Sequence, residues 1–178
     1  LPDAQKVQAC YELGQDFFKA GLLDRAEETF QQLIGGIYEA QARRSLLEIY
    51  QREKEWARAI DAAGSLQESG AGSRQKEIAQ FHCEIAQDEL VHIHADAALQ
   101  TLDKALSYDR NNVRAMMLIG DALMAKGDAE AALQAWRRVE QQSVPHVALV
   151  AQRLMDGYRA VGRAREGVHL LKTYLSEA

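Results

Sequence analysis

Proline is nearly missing, with two residues in a chain of 178, and cysteine is as scarce, Cys10 and Cys83 being the only two. Two cysteines without a CxxC pair exclude a disulfide-built scaffold and suit a reducing compartment. No run of 18 apolar residues occurs, so the stretch does not span a membrane as a helix. Basic excess is lacking too: 21 Lys and Arg against 26 Asp and Glu leave a net charge of −5. A nucleic-acid binder displaces counterions with a basic face, so no nucleic-acid partner is expected. What the chain has in quantity is alanine, 29 residues by count, with leucine, glutamine and glutamate. That composition favours helix over sheet. The chain begins at Leu1 rather than Met, so it is expected to be a soluble fragment of a longer protein.

Two segments repeat each other. L-G-Q-D-F-F-K-A-G from Leu13 is followed by Ala26 and Phe30, and I-G-D-A-L-M-A-K-G from Ile119 by Ala132 and Trp136. The glycines stand seven apart in both, Gly14 to Gly21 and Gly120 to Gly127. Such a pattern resembles the tetratricopeptide repeat (TPR), a helical hairpin of about 34 residues. Its slots have physical reasons. Gly14, Gly120, Ala26 and Ala132 allow the two helices of a hairpin to approach closely. Gly21 and Gly127 permit positive φ at the turn. Asp128 is placed to cap the second helix, and Phe30 and Trp136 are large enough to fill the gap against the next repeat. The same register, with Ala59 and Ala98 in the Ala26 slot, predicts five units near residues 7–39, 40–73, 79–112, 113–146 and 148–178. Starts at Val7, Ala40, Ala79, Val113 and Ala148 give intervals of 33, 39, 34 and 35 residues. The long interval contains Ser69-Gly70-Ala71-Gly72-Ser73, which reads as a flexible loop. Glu89 stands where a large apolar residue is usual, and Gly167 where alanine is usual. The expected fold is all-α: one array over residues 1–178, a right-handed superhelical solenoid in which stacking buries each repeat's apolar stripe.

Chemistry-bearing residues are sparse. His92 and His94, with His82 and Cys83 nearby, form the one metal-like cluster. Zinc wants three or four converging ligands, but His92 and His94 flank the expected turn and point differently, and Cys83 lies about two turns earlier without an obvious fourth ligand, so a polar turn is expected and no metal. Cys10 takes an inward slot, where a free thiol acts as a small hydrophobe. Neither cysteine has an evident base beside it. No nucleophile elbow, phosphate loop or H-E-x-x-H is present, and no enzyme is expected.

The informative surface is the concave face of the first (A) helices. The repeat register aims Tyr11, Gln15 and Phe18 there, then Arg44, Glu48 and Gln51, with Arg52 beside them. Cys83, Gln87 and Leu90 follow, then Met117, Asp121 and Met124, and last Gln152, Asp156 and Arg159. Of these, Tyr11, Phe18, Arg44, Arg52, Leu90, Met117 and Met124 are the candidate partner-binding residues, an adaptable apolar track with cationic points. Chaperone-binding TPR domains clamp a C-terminal carboxylate with Asn and Lys or Arg on consecutive A helices. The only asparagines here, Asn111 and Asn112, fall together at a repeat boundary, so that clamp is absent.

Three stretches go beyond a general repeat: L-G-Q-D-F-F-K-A-G-L-L-D-R-A-E-E-T-F-Q-Q-L from Leu13 to Leu33, L-L-E-I-Y-Q-R-E-K-E-W-A-R-A-I-D from Leu46 to Asp61, and E-I-A-Q-F-H-C-E-I-A from Glu77 to Ala86. Together they resemble the TPR region of the lipopolysaccharide assembly protein B family (LapB, formerly YciM). The resemblance implies an adaptor that limits lipopolysaccharide synthesis, bringing the lipid A pathway deacetylase LpxC to the membrane protease FtsH for degradation. It also implies a link to lipopolysaccharide transport proteins, and an N-terminal anchor on the cytoplasmic face of the Gram-negative inner membrane. Family members carry a rubredoxin-like metal domain on two CxxC pairs, which this stretch lacks, so no cofactor is expected in it. The alternative is a general TPR protein-interaction scaffold or co-chaperone-like assembly factor.

Overall fold

A computed structural model describes residues 3–142 and 144–177, so the outer limits of the expected array at Leu1 and Ala178 lie outside the described residues, as does Ser143. The described residues form ten helices and no strand: α1 (Asp3–Lys19), α2 (Leu23–Gln31), α3 (Glu39–Arg52), α4 (Trp56–Glu68), α5 (Gln75–Val91), α6 (Ala95–Tyr108), α7 (Val113–Ala125), α8 (Ala129–Glu140), α9 (Val144–Ala160) and α10 (Ala164–Glu177). Odd-numbered helices are the A helices of five hairpins, even-numbered ones the B helices. Internal contacts group the chain into two units, residues 1–81 and 82–178, with α5 running through the division.

All five A–B turns are the same motif. In each, one residue takes positive φ: Gly21 (75°), Lys54 (58°), Ile93 (64°), Gly127 (85°) and Gly162 (74°). Each donates its N–H three residues back, and the next residue donates five residues back, as in Leu22 to Phe17, Glu55 to Tyr50, His94 to Glu89, Asp128 to Leu123 and Arg163 to Tyr158. These are Schellman closures of the A helix. They recur at the intervals read from the sequence, but only three carry the expected glycine. Lys54 and Ile93 hold the left-handed conformation with a Cβ, which costs about 1–2 kcal/mol per residue.

In the first unit, Ala26, Phe30, Ala42, Ile49, Ala59, Ala63 and Leu66 are fully buried. The Phe30 ring turns back onto its own A helix rather than mainly into the following repeat. A Cβ on Gly14 would lie 2.7 Å from the ring, so glycine is what lets the ring seat. Trp136 does both in the second unit. Its indole covers Gly120 on α7, where a Cβ would stand well inside the ring's contact radius, and its far edge reaches Gly157 on α9. The indole N–H donates to the Met117 carbonyl at 3.1 Å, so the buried nitrogen is satisfied. Across the five hairpins this pair of positions reads Gly14/Phe30, Leu47/Ala63, Ala86/Leu102, Gly120/Trp136 and Met155/Leu171. In the first four pairs one member is small and the other large, whereas Met155 and Leu171 are both large.

The alanine slot behaves as expected, with Ala26, Ala59, Ala98 and Ala132 all at 0% exposure. Gly167 replaces it in the fifth hairpin because Tyr158 stands over the position, its Cβ 2.9 Å from where the added methyl would lie. Asp128 caps α8 as the sequence suggests, accepting from the Ala131 N–H at 3.1 Å. Asn112 at the repeat boundary is a buried cap for α7, accepting from the Ala115 N–H at 2.9 Å. In the 69–73 segment, Gly70 and Gly72 take φ of 81° and 95°, and the Ala71 N–H closes α4 on the Leu66 carbonyl at 3.0 Å.

Candidate functional site

The expected A-helix faces are best described unit by unit. In the first, Tyr11 is half-buried and stacks on Tyr38 with ring centroids 5.0 Å apart, its hydroxyl accepting from Gln15 at 3.1 Å. Phe18 is half-buried beneath the Arg52 guanidinium, 4.1 Å from the ring centroid, and Arg52 also holds Glu48 at 3.0 Å. The structure therefore brings Phe18 and Arg52 together as a cation–π pair between α1 and α3. Arg44 is exposed. These aromatic faces are partly occupied by their own neighbours, and Arg52 is held by Phe18 and Glu48.

In the second unit, Leu90, Met117 and Met124 are half-buried. Asp121 receives a two-pronged contact from Arg153 of α9, at 2.7 and 2.8 Å. That carboxylate holds the guanidinium's proton more firmly than usual. Together with Met124, Trp136 and Asp156 the pair lines an open pocket of about 320 Å³. Arg114 reaches back from α7 to Glu84 at 2.6 Å and Gln87 at 2.7 Å on α5. Register places Asp121 on this face, but the spacing within one repeat shows neither its partner nor the Arg114 bridge. A signal was present: Glu27 and Arg58, Glu84 and Arg114, Asp96 and Lys126, Asp121 and Arg153, and Glu130 and Arg163 are opposite charges 30–33 residues apart that pair in space. A charge correlation just short of the repeat length marks residues facing each other on successive hairpins.

One expected face residue is misplaced. Cys83 is fully buried, with its sulfur 3.7 Å from the Asn112 side-chain oxygen. The small thiol sits beside Asn112, the cap of α7. Burial pushes the thiol up to about 11, leaving little thiolate for nucleophilic chemistry. Cys10 is half-buried, its thiol facing the Thr29 carbonyl at 3.9 Å.

The histidines do not converge either. His92 and His94 are exposed on the α5–α6 turn, whereas His82 is buried and stacked on Tyr108 at 5.6 Å. Among the described residues no group of three or more His, Cys, Asp or Glu is placed to hold a metal. Burial, with Lys104 nearby, lowers the pKa of His82, and its Nδ1 has no partner. The folded state thus favours neutral His82. As pH falls below the unfolded value near 6.5, the unfolded chain binds the proton first and stability drops. His82→Phe keeps the stack and is expected to flatten the fall in melting temperature between about pH 7 and 5. Parallel melts of the two proteins across that range measure it, and equal slopes would remove His82 as the cause.

A family model for the tetratricopeptide repeat matches residues 11–73 and 83–146. The chain belongs to the tetratricopeptide repeat family. It is also 34% identical over 174 residues to lipopolysaccharide assembly protein B of Escherichia coli K12, a match covering 97% of this chain and 45% of that protein. The Haemophilus influenzae protein of the same name is 32% identical over 143 residues, covering 78% of this chain and 35% of its own length. The chain therefore spans under half the length of these relatives. Among solved structures, MamA aligns with a TM-score of 0.56 at 15% identity, covering 97% of this chain and 92% of MamA. YrrB, described as a TPR protein with an unusual peptide-binding site, aligns at 0.55 and 15%, covering 94% and 84%. Those two likenesses show the fold. No helix among the described residues is long and apolar enough to cross a membrane.

Proposed function

We propose that this chain is the repeat region of a non-catalytic adaptor in lipopolysaccharide assembly control, associated with the bacterial inner membrane. In this reading it recruits the lipid A pathway deacetylase LpxC to the membrane protease FtsH. The observation that carries the reading is identity of 34% to lipopolysaccharide assembly protein B across 97% of the chain, far above the 15% that links it to TPR structures in general. Apposition is the mechanism: two proteins held by one scaffold meet at a raised effective concentration, and the scaffold needs no chemistry of its own. The A-helix faces are the proposed contact surfaces, with Tyr11, Phe18, Arg44 and Arg52 in the first unit and Leu90, Met117 and Met124 in the second. Soft methionines and aromatic edges adapt to a partner segment, and the arginines orient it.

Calorimetry with the purified deacetylase tests the reading. The chain is expected to bind. Phe18→Ala with Met124→Ala is expected to weaken binding about tenfold or more, as loss of two apolar anchors does, with helical circular dichroism unchanged. Unchanged affinity would move the contact away from the A helices.

A further inference from the structure

Between α7 and α9, Asp121 and Arg153 face each other as a two-pronged ion pair at 2.7 and 2.8 Å. In the repeat register the same two slots on the other successive A helices read Gln15 and Ser45, Glu48 and Glu84, and Gln87 and Leu118. None of those is a pair of opposite charges, so the ion pair is particular to this place in the array. It borders the open pocket of about 320 Å³ whose lining also includes Met124, Trp136 and Asp156. Arg153 and Asp156 stand three residues apart on α9, one helical turn, and so are neighbours on one face.

Both of these groups keep hydrogen-bonding capacity in reserve. Arg153 uses Nε and Nη2 on Asp121, and its Nη1 has no partner among the described residues. Asp121 fixes the guanidinium plane, so the Nη1 N–H groups hold a set direction and lose little freedom when a ligand binds. Asp156 is exposed; Gln152 donates to its Oδ1 at 3.0 Å and to its Oδ2 at 3.1 Å, and Arg159 donates to Oδ1 at 3.4 Å. A carboxylate oxygen accepts at two lone-pair sites, which leaves one open on Oδ2. Charge is balanced, Asp121 against Arg153 and Asp156 against Arg159. A fixed donor, an open acceptor and an apolar lining with no net charge complement a peptide group beside an apolar side chain.

We infer that this pocket seats one residue of an extended, uncharged segment of a partner protein. The residue's apolar side chain lies against Met124 and Trp136, its main-chain carbonyl accepts from Arg153 Nη1, and a main-chain N–H donates to Asp156 Oδ2. An acidic or basic side chain would meet no uncompensated opposite charge here, which favours the neutral occupant. The inference rests on the proposed role as a protein-binding scaffold. It adds Arg153 and Asp156 to the contact surface of the second unit, as groups that read main chain while Met124 and Trp136 read an apolar side chain.

Calorimetry with two probes tests it: the purified deacetylase, and overlapping peptides covering its sequence with acetylated and amidated ends. Arg153→Lys keeps a charge beside Asp121 but loses the second edge of the fork, and Asp156→Ala removes the open acceptor. Each is expected to bind the deacetylase and the seated peptide about fivefold or more weakly, while melting like wild type. Arg138→Lys, a change at an exposed arginine of α8, is expected to bind like wild type. An ester in place of the amide at the seated residue removes the N–H offered to Asp156. That peptide is expected to bind wild type more weakly than its amide form and to bind Asp156→Ala as the amide form does; an equal fall on both proteins overturns the main-chain assignment. So does selection of peptides bearing Asp or Glu alone. Deacetylase binding with no peptide binding overturns the extended segment. Deacetylase binding unchanged by Arg153→Lys and Asp156→Ala overturns the pocket and leaves the scaffold reading standing. Absence of binding by wild type to both deacetylase and protease overturns the scaffold reading, and the pocket with it.

Discussion

Trp136→Ala is expected to cost about 3–5 kcal/mol, the range for removing a large buried aromatic side chain. The indole is 2% exposed, fills the space over Gly120, meets Gly157 of the next A helix and donates to the Met117 carbonyl. Its loss opens a cavity between two hairpins at once. The complementary change is sharper in what it distinguishes. Gly120→Ala places a methyl inside the indole and is expected to cost about 1–3 kcal/mol as overpacking. In a Trp136→Leu background the same substitution is expected to cost little, because Ala86/Leu102 already fills these positions in the third hairpin. Denaturant melts of the single and double variants measure the coupling. Additive costs would mean that the two positions are not exchanging volume across one contact.

Repair of the third hairpin is expected to move stability the other way. Glu89→Leu removes a carboxylate oxygen that is buried without a partner, a situation costing about 1–3 kcal/mol. Ile93→Gly relieves the left-handed strain at φ 64°, about 1–2 kcal/mol. Together they are expected to raise stability by about 2 kcal/mol or more, read as a higher melting midpoint and slower amide exchange in α5 and α6. A fall in midpoint would show that Glu89 has a compensating role in the hairpin.

Much of the architecture was legible in the sequence because a repeat advertises itself twice. Gly14 and Gly120, Ala26 and Ala132, and the closing glycines Gly21 and Gly127 fixed a register that also locates the other turns. Where glycine is absent the register alone found the turn: Lys54 and Ile93 adopt the same backbone under strain, which composition does not announce. Helix starts were less legible. α1, α5 and α9 begin at residues 3, 75 and 144, four residues ahead of the units starting at 7, 79 and 148. An extra N-terminal turn adds no repeat-specific residue to betray it.

The candidate faces were legible only in part. Tyr11 and Met117 are half-buried, yet Cys83 at the same register position is fully buried. The contact with Asn112, 29 residues away, decides this case, and spacing of apolar residues along one helix does not resolve it. The ion pairs between hairpins were missed for a different reason. Each residue looks like ordinary helix-surface charge until its partner one repeat away is considered.

A scaffold that holds deacetylase and protease together is tested by sedimentation velocity on a mixture of this chain, the purified deacetylase and the solubilised protease. A species containing all three is expected, with deacetylase and protease failing to associate when the chain is left out. Deacetylase and protease displacing each other from the chain, or neither associating with it, would rule out the proposed scaffold.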